Sequence, residues 1–364
     1  MKPTLAQVLT CPACQGRFRL KVFSSADNEV KEGILVCQGC SAAYPIIEAI
    51  PRMLEPEFLY LLVSGFEEFL KKYRQELQAQ VGSAAFKHIS QAPADYRKKV
   101  KKITAGFKYE WSKHSSILPT HENEFLHVLG DCLKKQDFAG KIVLDAGCGQ
   151  GRFAYFANKY GASEIYCLDL SEAVVVAKKN LKDIPNIHII QGDIYNLPFG
   201  RLFDIIYSIG VIHHLPDPEK GFHGLIDKLK KGGTVFVWVY GYSSVVPALK
   251  AVRKISLRLP IGLMWFLSTI PAAGLYLINL FYRAIRKVGF LKAVAERVPF
   301  NMYNDRTFHN TVTVSFDHLT TSIANFYRKE ELEEWLKRST LSEWRLSERY
   351  PGRSGSSWRL LGKV

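Results

Sequence analysis

Three features are absent or scarce in this chain. The stretch before Cys11 lacks an apolar core followed by a small-residue cleavage site, so we expect no secretory signal and a cytoplasmic protein. There is no internal repeat and no low-complexity tract. Acidic side chains are few: 34 Asp and Glu stand against 49 Lys and Arg, a formal net charge of +15. This imbalance favours an anionic partner, such as nucleic acid, an acidic lipid surface or a phosphorylated substrate, without choosing among them.

What is present is enough apolar sequence for a folded protein. Of the 364 residues, 47% are hydrophobic and 23% charged, so the chain can bury at least one large core, and its length suggests about two domains. Changes of pattern divide it into five segments: 1–55 with paired cysteines, 56–135 as a helical connector with N-terminal helices, 136–241 with alternating strands and helices, 242–315 as an apolar helical insertion, and 316–364 as the C-terminal completion.

The cysteines indicate a metal site. Four of the seven form two C-x-x-C knuckles, Cys11 with Cys14 and Cys37 with Cys40. Thiolates at this spacing predict a closed tetrahedral Zn²⁺ site, which is structural because no coordination position is left for water. Free or redox-active thiols are the alternative interpretation. We interpret the three remaining cysteines as small buried residues: Cys132, Cys148 and Cys167.

Segment 136–241 has the pattern of an α/β fold. Short β-rich runs alternate with helical stretches, which predicts a mostly parallel sheet with crossover helices. The predicted strands are Lys141–Asp145, Glu164–Asp169, Ile187–Gln191, Phe203–Ser208 and Thr234–Val239.

The first of these strands runs into a glycine-rich turn, AGCGQG, over residues 146–151. Alternate glycines let the backbone turn sharply and approach a ligand without a Cβ in the way, and the N–H groups of the following helix, predicted over Phe153–Tyr160, can face a carboxylate. A dinucleotide fingerprint would need a glycine at position 152, which is Arg152. The D-x-G-x-G-x-G pattern that begins at Asp145 is instead typical of methyltransferases. A turn with no ligand is the alternative.

Two further carboxylates follow successive strands. Asp169 ends the second strand, where it can accept hydrogen bonds from both hydroxyls of a ribose. Asp193 follows the third strand, where it can bond an adenine amino group. Acids at the ends of three successive strands favour a nucleoside-containing cofactor over ordinary loop carboxylates. The candidate cofactor-binding residues are Asp145, Gly147, Gly149, Gly151, Asp169, Leu170, Asp193, Ile194, Ser208 and Gly210.

The turn after the fourth strand contains His213 and His214. Cofactor and substrate meet beyond the carboxyl ends of such strands. A sulfonium methyl is already activated, so the protein mainly aligns a nucleophile, and a base is needed only where that nucleophile must lose a proton. Both histidines are therefore candidate catalytic residues, with packing and loop capping as the alternative. Candidates for lining the acceptor site are Tyr207, Asp317, His318 and Tyr327.

The stretch from Val143 to Tyr240 resembles the small-molecule branch of the class I S-adenosylmethionine-dependent methyltransferases. Weaker similarity lies at 107–111, 316–318 and 327–331, where the chain resembles a bacterial subfamily with an N-terminal zinc ribbon. The segment through residues 44–51 resembles small zinc-ribbon proteins that bind and activate eukaryotic methyltransferases. The resemblance implies a Rossmann-like fold with a mostly parallel seven-stranded sheet, a fused zinc ribbon and a helical lid insertion. It also implies S-adenosylmethionine and structural Zn²⁺ as cofactors.

An uncharged apolar run occupies residues 259–282, with basic residues on both sides. Its length suits a transmembrane helix, although Pro271 interrupts it centrally. One interpretation is a helical pair that is broken at Pro271 and forms a lid over the substrate site. A membrane-docking element with snorkelling basic flanks is the second interpretation, and a spanning helix is the third.

These observations leave three hypotheses for function. The first is methyl transfer to a small-molecule or lipid-linked acceptor, with peripheral contact at the inner membrane surface and no obligate protein partner. The second is an RNA methyltransferase that uses the ribbon and the basic stretch 97–102. The third is a non-catalytic scaffold with a methyltransferase fold. The intact set of strand-end acids argues against the third.

Overall fold

The computed structural model describes residues 1–81, 94–113, 115–291, 308–349 and 357–364. Its first unit is a small ribbon. A short helix, α1 (Leu5–Val8), precedes four antiparallel strands: β1 (Phe18–Ala26), β2 (Glu29–Cys37), β3 (Ala43–Ile47) and β4 (Ile50–Met53). Asp27 and Asn28 both have positive φ, as a two-residue turn between twisted strands requires.

The second unit is a twisted sheet built on the expected pattern. Its strands are β5 (Ile142–Ala146), β6 (Glu164–Asp169), β7 (Ile187–Gly192), β8 (Phe203–Ile209), β9 (Leu229–Tyr240), β10 (Glu343–Glu348) and β11 (Ser357–Lys363). They lie in the order β7-β6-β5-β8-β9-β11-β10. The first five are parallel, and β11 is antiparallel to both neighbours. The prediction of a mostly parallel seven-stranded sheet is confirmed.

The ribbon and the sheet form one continuous sheet of eleven strands. Strand β4 pairs in parallel with β7, with Arg52 opposite Gln191 and Met53 opposite Gly192. The Arg52 side chain is fully buried, and its Nη1 donates to Gln191 Oε1 at 2.8 Å. Gln191 Nε2 in turn donates to the carbonyl of Leu170. The ribbon is thereby fixed to β7, beside the strand ends that carry Asp169 and Asp193.

Helices cover both faces of the sheet. The helices up to β9 are α2 (Pro56–Leu62), α3 (Phe66–Lys72), α4 (Arg74–Val81), α5 (Ala94–Lys113), α6 (Thr120–Leu129), α7 (Arg152–Lys159), α8 (Ala173–Asn180) and α9 (Pro218–Ile226). Buried aromatic residues of α6 and α7, such as Phe125 and Phe153, pack on one face, and Phe222 of α9 packs on the other. Apolar side chains of α2–α4 pack on the ribbon strands.

The insertion between β9 and β10 is helical. It contains α10 (Val246–Ser256), α11 (Ile261–Arg286) and α12 (Phe308–Thr320), and α13 (Lys329–Arg338) follows. The expected break at Pro271 is wrong, because α11 continues through it. A proline removes only one backbone donor, and both halves of α11 are held against α12: Trp265 packs on Phe316, and Tyr276 packs on Phe308.

Candidate active site and zinc centre

The glycine turn connects β5 to α7 in a conformation that only glycine tolerates well. Gly147, Gly149 and Gly151 all have positive φ. A Cβ on Gly147 would lie 2.3 Å from Val211, and one on Gly151 would lie 2.4 Å from Leu181. The turn is therefore fixed by close packing from behind as well as by backbone conformation.

Asp169 holds this turn against the end of β6. Its Oδ2 accepts from the backbone N–H of Gly149 at 2.9 Å, and its Oδ1 accepts from the N–H and the hydroxyl of Ser171. Burial raises the pKa of this carboxyl above its ordinary value, while these hydrogen bonds oppose the shift. The structure thus brings Asp169 into direct contact with the central glycine of the turn.

The other two strand-end acids are also buried. Asp145 lies beneath the turn, where the Tyr207 hydroxyl donates to it at 3.1 Å, and burial raises its pKa to about 7. Asp193 accepts from the N–H of Tyr195 at the start of a 3₁₀ turn, and burial raises its pKa to about 6. Ile194 follows it in the core.

The residues at these strand ends fit S-adenosylmethionine. The side-chain amide of Gln150, in the middle of the glycine turn, is buried and has no hydrogen-bond partner within the described part of the chain. Ser208 Oγ donates to the carbonyl of Ala146, and Gly210 has positive φ at the end of β8. The turn glycines leave space for a ligand, and the Gln150 amide and the strand-end carboxylates can form hydrogen bonds with it. These groups suit a ligand with a ribose, a purine and a cationic centre.

A cluster of rings lies beyond the ends of β8 and β9. The His213 ring stands 4.1 Å from that of His214 and 3.9 Å from that of Tyr240, measured between centroids. Both histidines are buried, and burial lowers the pKa of each. Asn325 fixes the turn by donating to the carbonyls of His213 and Leu215. Burial therefore favours the neutral form of both imidazoles.

Asp317 on α12 joins this cluster. Its carboxylate accepts from the Tyr240 hydroxyl and from Thr321 Oγ1, each at 2.6 Å. Burial opposes ionisation, but His214, His318 and these hydrogen bonds hold the pKa of Asp317 below its ordinary value. The His318 ring packs 5.4 Å from that of Tyr240. The structure therefore brings four predicted residues together: His213, His214, Asp317 and His318.

Three residues of this cluster were not predicted from the sequence: Tyr240, Asn325 and Arg253. Tyr240 ends β9, and that position beside the β8 turn was the available signal. Arg253 is buried on α10, and its Nε donates to the carbonyl of His318. Nothing in the local sequence distinguishes Arg253 from the exposed basic residues around it.

Two predicted acceptor-lining side chains point away from this cluster. Tyr207 is fully buried among Phe125 and Phe138 and bonds Asp145, so it supports the cofactor turn. The backbone N–H of Tyr327 donates to the carbonyl of Tyr240 at 3.0 Å, but its ring packs on Trp335 of α13 in the core on the other side of the sheet. Leu170 is partly buried beside the ribbon helices and contributes its carbonyl to Gln191. Tyr207 and Tyr327 were chosen from strand ends and flanking similarity, neither of which specifies the direction of a side chain.

The four knuckle cysteines converge at the ribbon tip. Their Sγ atoms all lie within 4.8 Å of one another, with 3.7 Å between Cys11 and Cys40 and 3.4 Å between Cys14 and Cys37. Tetrahedral Zn–S bonds of about 2.3 Å require sulfur atoms about 3.8 Å apart. The thiolates therefore fit Zn²⁺ without rearrangement of the backbone.

Comparison with known proteins gives the same division of the chain. Residues 144–237 match the family described as a methyltransferase domain, and residues 2–48 match the family described as Trm112p-like protein. The chain is 31% identical to a ubiquinone biosynthesis O-methyltransferase of Azoarcus sp., over 35% of this chain and 55% of that protein. It is 26% identical to a tRNA U34 carboxymethyltransferase of Pseudoalteromonas atlantica, over 44% and 50%.

Among solved structures, magnesium protoporphyrin IX methyltransferase from Synechocystis with bound SAH is 15% identical, with a TM-score of 0.39 over 84% of this chain and 96% of that chain. The chain spans between a quarter and half of the length of the first curated relatives it matches. The family matches, the glycine turn and the cysteine cluster together identify residues 144–237 as a class I S-adenosylmethionine-dependent methyltransferase domain, which is joined to a Trm112p-like zinc ribbon at residues 2–48.

Proposed function

We propose that the whole protein transfers a methyl group from S-adenosylmethionine to a small-molecule or lipid-linked acceptor. The observation that carries the proposal is the cluster of His213, His214, Tyr240 and Asp317, which lies one strand end away from the glycine turn. Parallel sheets place cofactor and substrate along this edge. Buried clusters of ionisable groups are typical of active sites, so this one favours an enzyme over a scaffold.

The cofactor supplies an activated methyl group on a sulfonium when it is bound. Gly147, Gly149 and Gly151 would hold its amino-acid portion, Asp169 its ribose, and Asp193 with Ile194 its purine. Asp169 would meet the ribose hydroxyls through Oδ2, which accepts only the Gly149 N–H within the described part of the chain. The chain's own contribution is alignment, because holding a nucleophile in line with the methyl group removes most of the entropic barrier.

His214 is the residue we assign as the base. Its Nδ1 lies 2.8 Å from the carbonyl oxygen of Ile323, and since a carbonyl only accepts, Nδ1 carries the proton and Nε2 keeps its lone pair. Its lowered pKa keeps that lone pair available at neutral pH. Asp317, nearby and ionised, stabilises the imidazolium that forms when His214 takes a proton from the acceptor. His213 packs between His214 and Tyr240 and positions them.

The same proposal places the protein in the cytoplasm, in peripheral contact with the inner membrane surface. The zinc ribbon is already part of the chain and pairs with β7, which supports a protein without an obligate protein partner. Among the residues that the structure describes, one helix, Ile261–Arg286, is long and apolar enough to cross a membrane.

An RNA acceptor is the second candidate. Lys98, Lys101 and Lys102 are exposed on α5, while the side chains of Arg97 and Lys99 lie outside the described residues. One relative is named as acting on tRNA. Salt-sensitive retention on RNA would favour this candidate, because phosphate contacts weaken steeply as salt rises.

Labelled S-adenosylmethionine and fractionated cell extract test the proposal, with the His214→Asn variant compared against wild type. Asparagine keeps a donor towards the Ile323 carbonyl and removes the base, so we expect a loss of kcat of about 10²–10⁴ with unchanged cofactor affinity. His223→Asn, a half-buried histidine of α9, is the matched control and should retain full activity. Labelled RNA would support the second candidate. Cofactor binding without transfer to any fraction would indicate a scaffold.

A further inference from the structure

Helix α11 exposes its apolar side, whereas a surface helix in water exposes its polar side. Its outward side carries large apolar residues at helical spacing, namely Leu263, Phe266, Ile270, Leu277, Leu280 and Phe281, and Phe266 and Ile270 are each about two thirds exposed. Of its most apolar window of 18 residues, only 17% is buried. The helix α10 before it also exposes two large apolar side chains, Val252 and Ile255. We call these eight side chains the docking face.

The inward side of α11 is more polar than the outward side. Its buried residues are polar, small or mixed in character: Met264, Ser268, Ala272, Asn279 and Tyr282. Ser268 Oγ donates back to the carbonyl of Met264 at 2.7 Å. A surface helix in water buries its apolar stripe and exposes its polar one, so the reverse arrangement indicates that the outward side faces an apolar medium.

The charges around the docking face have one sign. From residue 228 to residue 295 the sequence contains no Asp or Glu. Exposed basic side chains stand at both ends of the face: Lys250, Lys254 and Arg258 near its start, and Arg286 and Lys287 near its end. An apolar centre with basic ends is complementary to a bilayer that carries anionic headgroups.

The packing of α11 favours an orientation in the plane of the membrane over spanning. Its inward side is covered by α12, and Trp265 also packs against Tyr109 of α5. A spanning orientation would draw α12 into the hydrocarbon with it, and α12 carries the ionised Asp317. The length of α11, 26 residues or about 39 Å, is compatible with either orientation, so the packing decides between them.

We propose that the docking face seats the protein on an anionic lipid bilayer, with α10 and α11 lying in the interfacial plane. The cluster around His214 then lies on the protein side of these helices, since Phe316 contacts Trp265 and the next residue, Asp317, accepts from Tyr240. The acceptor is a lipid-linked molecule that reaches the cluster from the membrane side. This last step rests on the proposed methyl transfer, whereas the docking itself does not.

The test is co-sedimentation of the full chain with vesicles. Wild type should sediment with an equimolar mixture of phosphatidylcholine and phosphatidylglycerol, and less with phosphatidylcholine alone. The double variant Phe266→Glu, Ile270→Glu should partition at least about tenfold less, because two charges enter the apolar contact. Val22→Glu, a partly exposed apolar position on the ribbon, is the matched control and should partition like wild type. Lys254→Ala with Arg258→Ala should weaken binding to the anionic vesicles alone.

Calorimetric measurement of S-adenosylmethionine affinity checks that each variant is folded. The glycine turn lies between β5 and α7, so a folded variant should bind the cofactor like wild type. Absence of wild type from both vesicle pellets overturns the proposal. A wild-type dimer that the double variant converts to a monomer, without vesicle binding, assigns the face to a second copy and also overturns it. Protein that carbonate cannot extract from vesicles indicates spanning and overturns the in-plane orientation. Vesicle binding without methyl transfer to any fraction leaves docking in place and refutes the proposed function.

Discussion

Replacing Asp145 with asparagine should make the protein more stable at alkaline pH. The carboxyl is fully buried beneath the glycine turn, and burial raises its pKa from 3.8 to about 7. The unfolded chain therefore releases this proton near pH 4 and the folded chain near pH 7. Between these values the folded state binds more protons, so the free energy of unfolding falls as pH rises. Three pKa units correspond to about 4 kcal/mol, an upper bound for one buried group.

Asparagine preserves the acceptor for the Tyr207 hydroxyl and removes the charge. Urea unfolding at pH 5 and pH 8 should show that Asp145 costs wild type up to about 2.6 kcal/mol over this range, because part of the change already occurs below pH 5. The Asp145→Asn variant should not show this loss. Asp27→Asn, a change at an 88% exposed carboxylate in a turn that asparagine also tolerates, is the control and should follow wild type. Equal pH dependence in wild type and Asp145→Asn, or a variant less stable than wild type at pH 8, would refute the assignment of a buried, costly carboxylate.

Three further predictions concern the cofactor and the metal. Gly149→Val should abolish S-adenosylmethionine binding, because valine is strained at φ +54° and fills the space beside the ligand; unchanged affinity by calorimetry would remove the cofactor assignment. Asp169→Ala should weaken the cofactor by a few kcal/mol at most, since one pair of charge-assisted contacts is lost; unaltered affinity would mean that this acid is not at the ribose. One zinc should copurify, and chelation should loosen residues 1–55 first, as limited proteolysis can follow; metal-free protein with four titratable knuckle thiols would contradict this.

The sequence specified the elements that depend on local pattern. Each of the five predicted strands is present, with ends shifted by a residue or two except for the fifth, which begins earlier, at Leu229. The glycine turn and the knuckle cysteines were equally visible, because spacing alone defines them. Period, turn chemistry and ligand spacing are all properties of neighbouring residues.

What the sequence could not specify depends on long-range packing. The pairing of β4 with β7 joins residues far apart in the chain, and a strand as short as Ile50–Met53 carries no signal of its partner. Pro271 indicated a break that packing against α12 prevents. Tyr207 stands in the sequence like a residue facing the substrate, yet it points down into the core and bonds Asp145. The direction of a side chain at a strand end is set by the sheet around it.

The seam between β4 and β7 has a consequence for how the chain avoids self-association. Without the ribbon, β7 would be an edge strand, with the backbone groups of Gln191 and Gly192 open to pairing with another molecule. The covalent link keeps the covering strand at a high local concentration, so the edge recloses faster than a second molecule can reach it. Zinc therefore also keeps the edge of β7 covered. A ribbon that loosens without metal would release β4, and the exposed edge of β7 could then pair with other molecules and start aggregation.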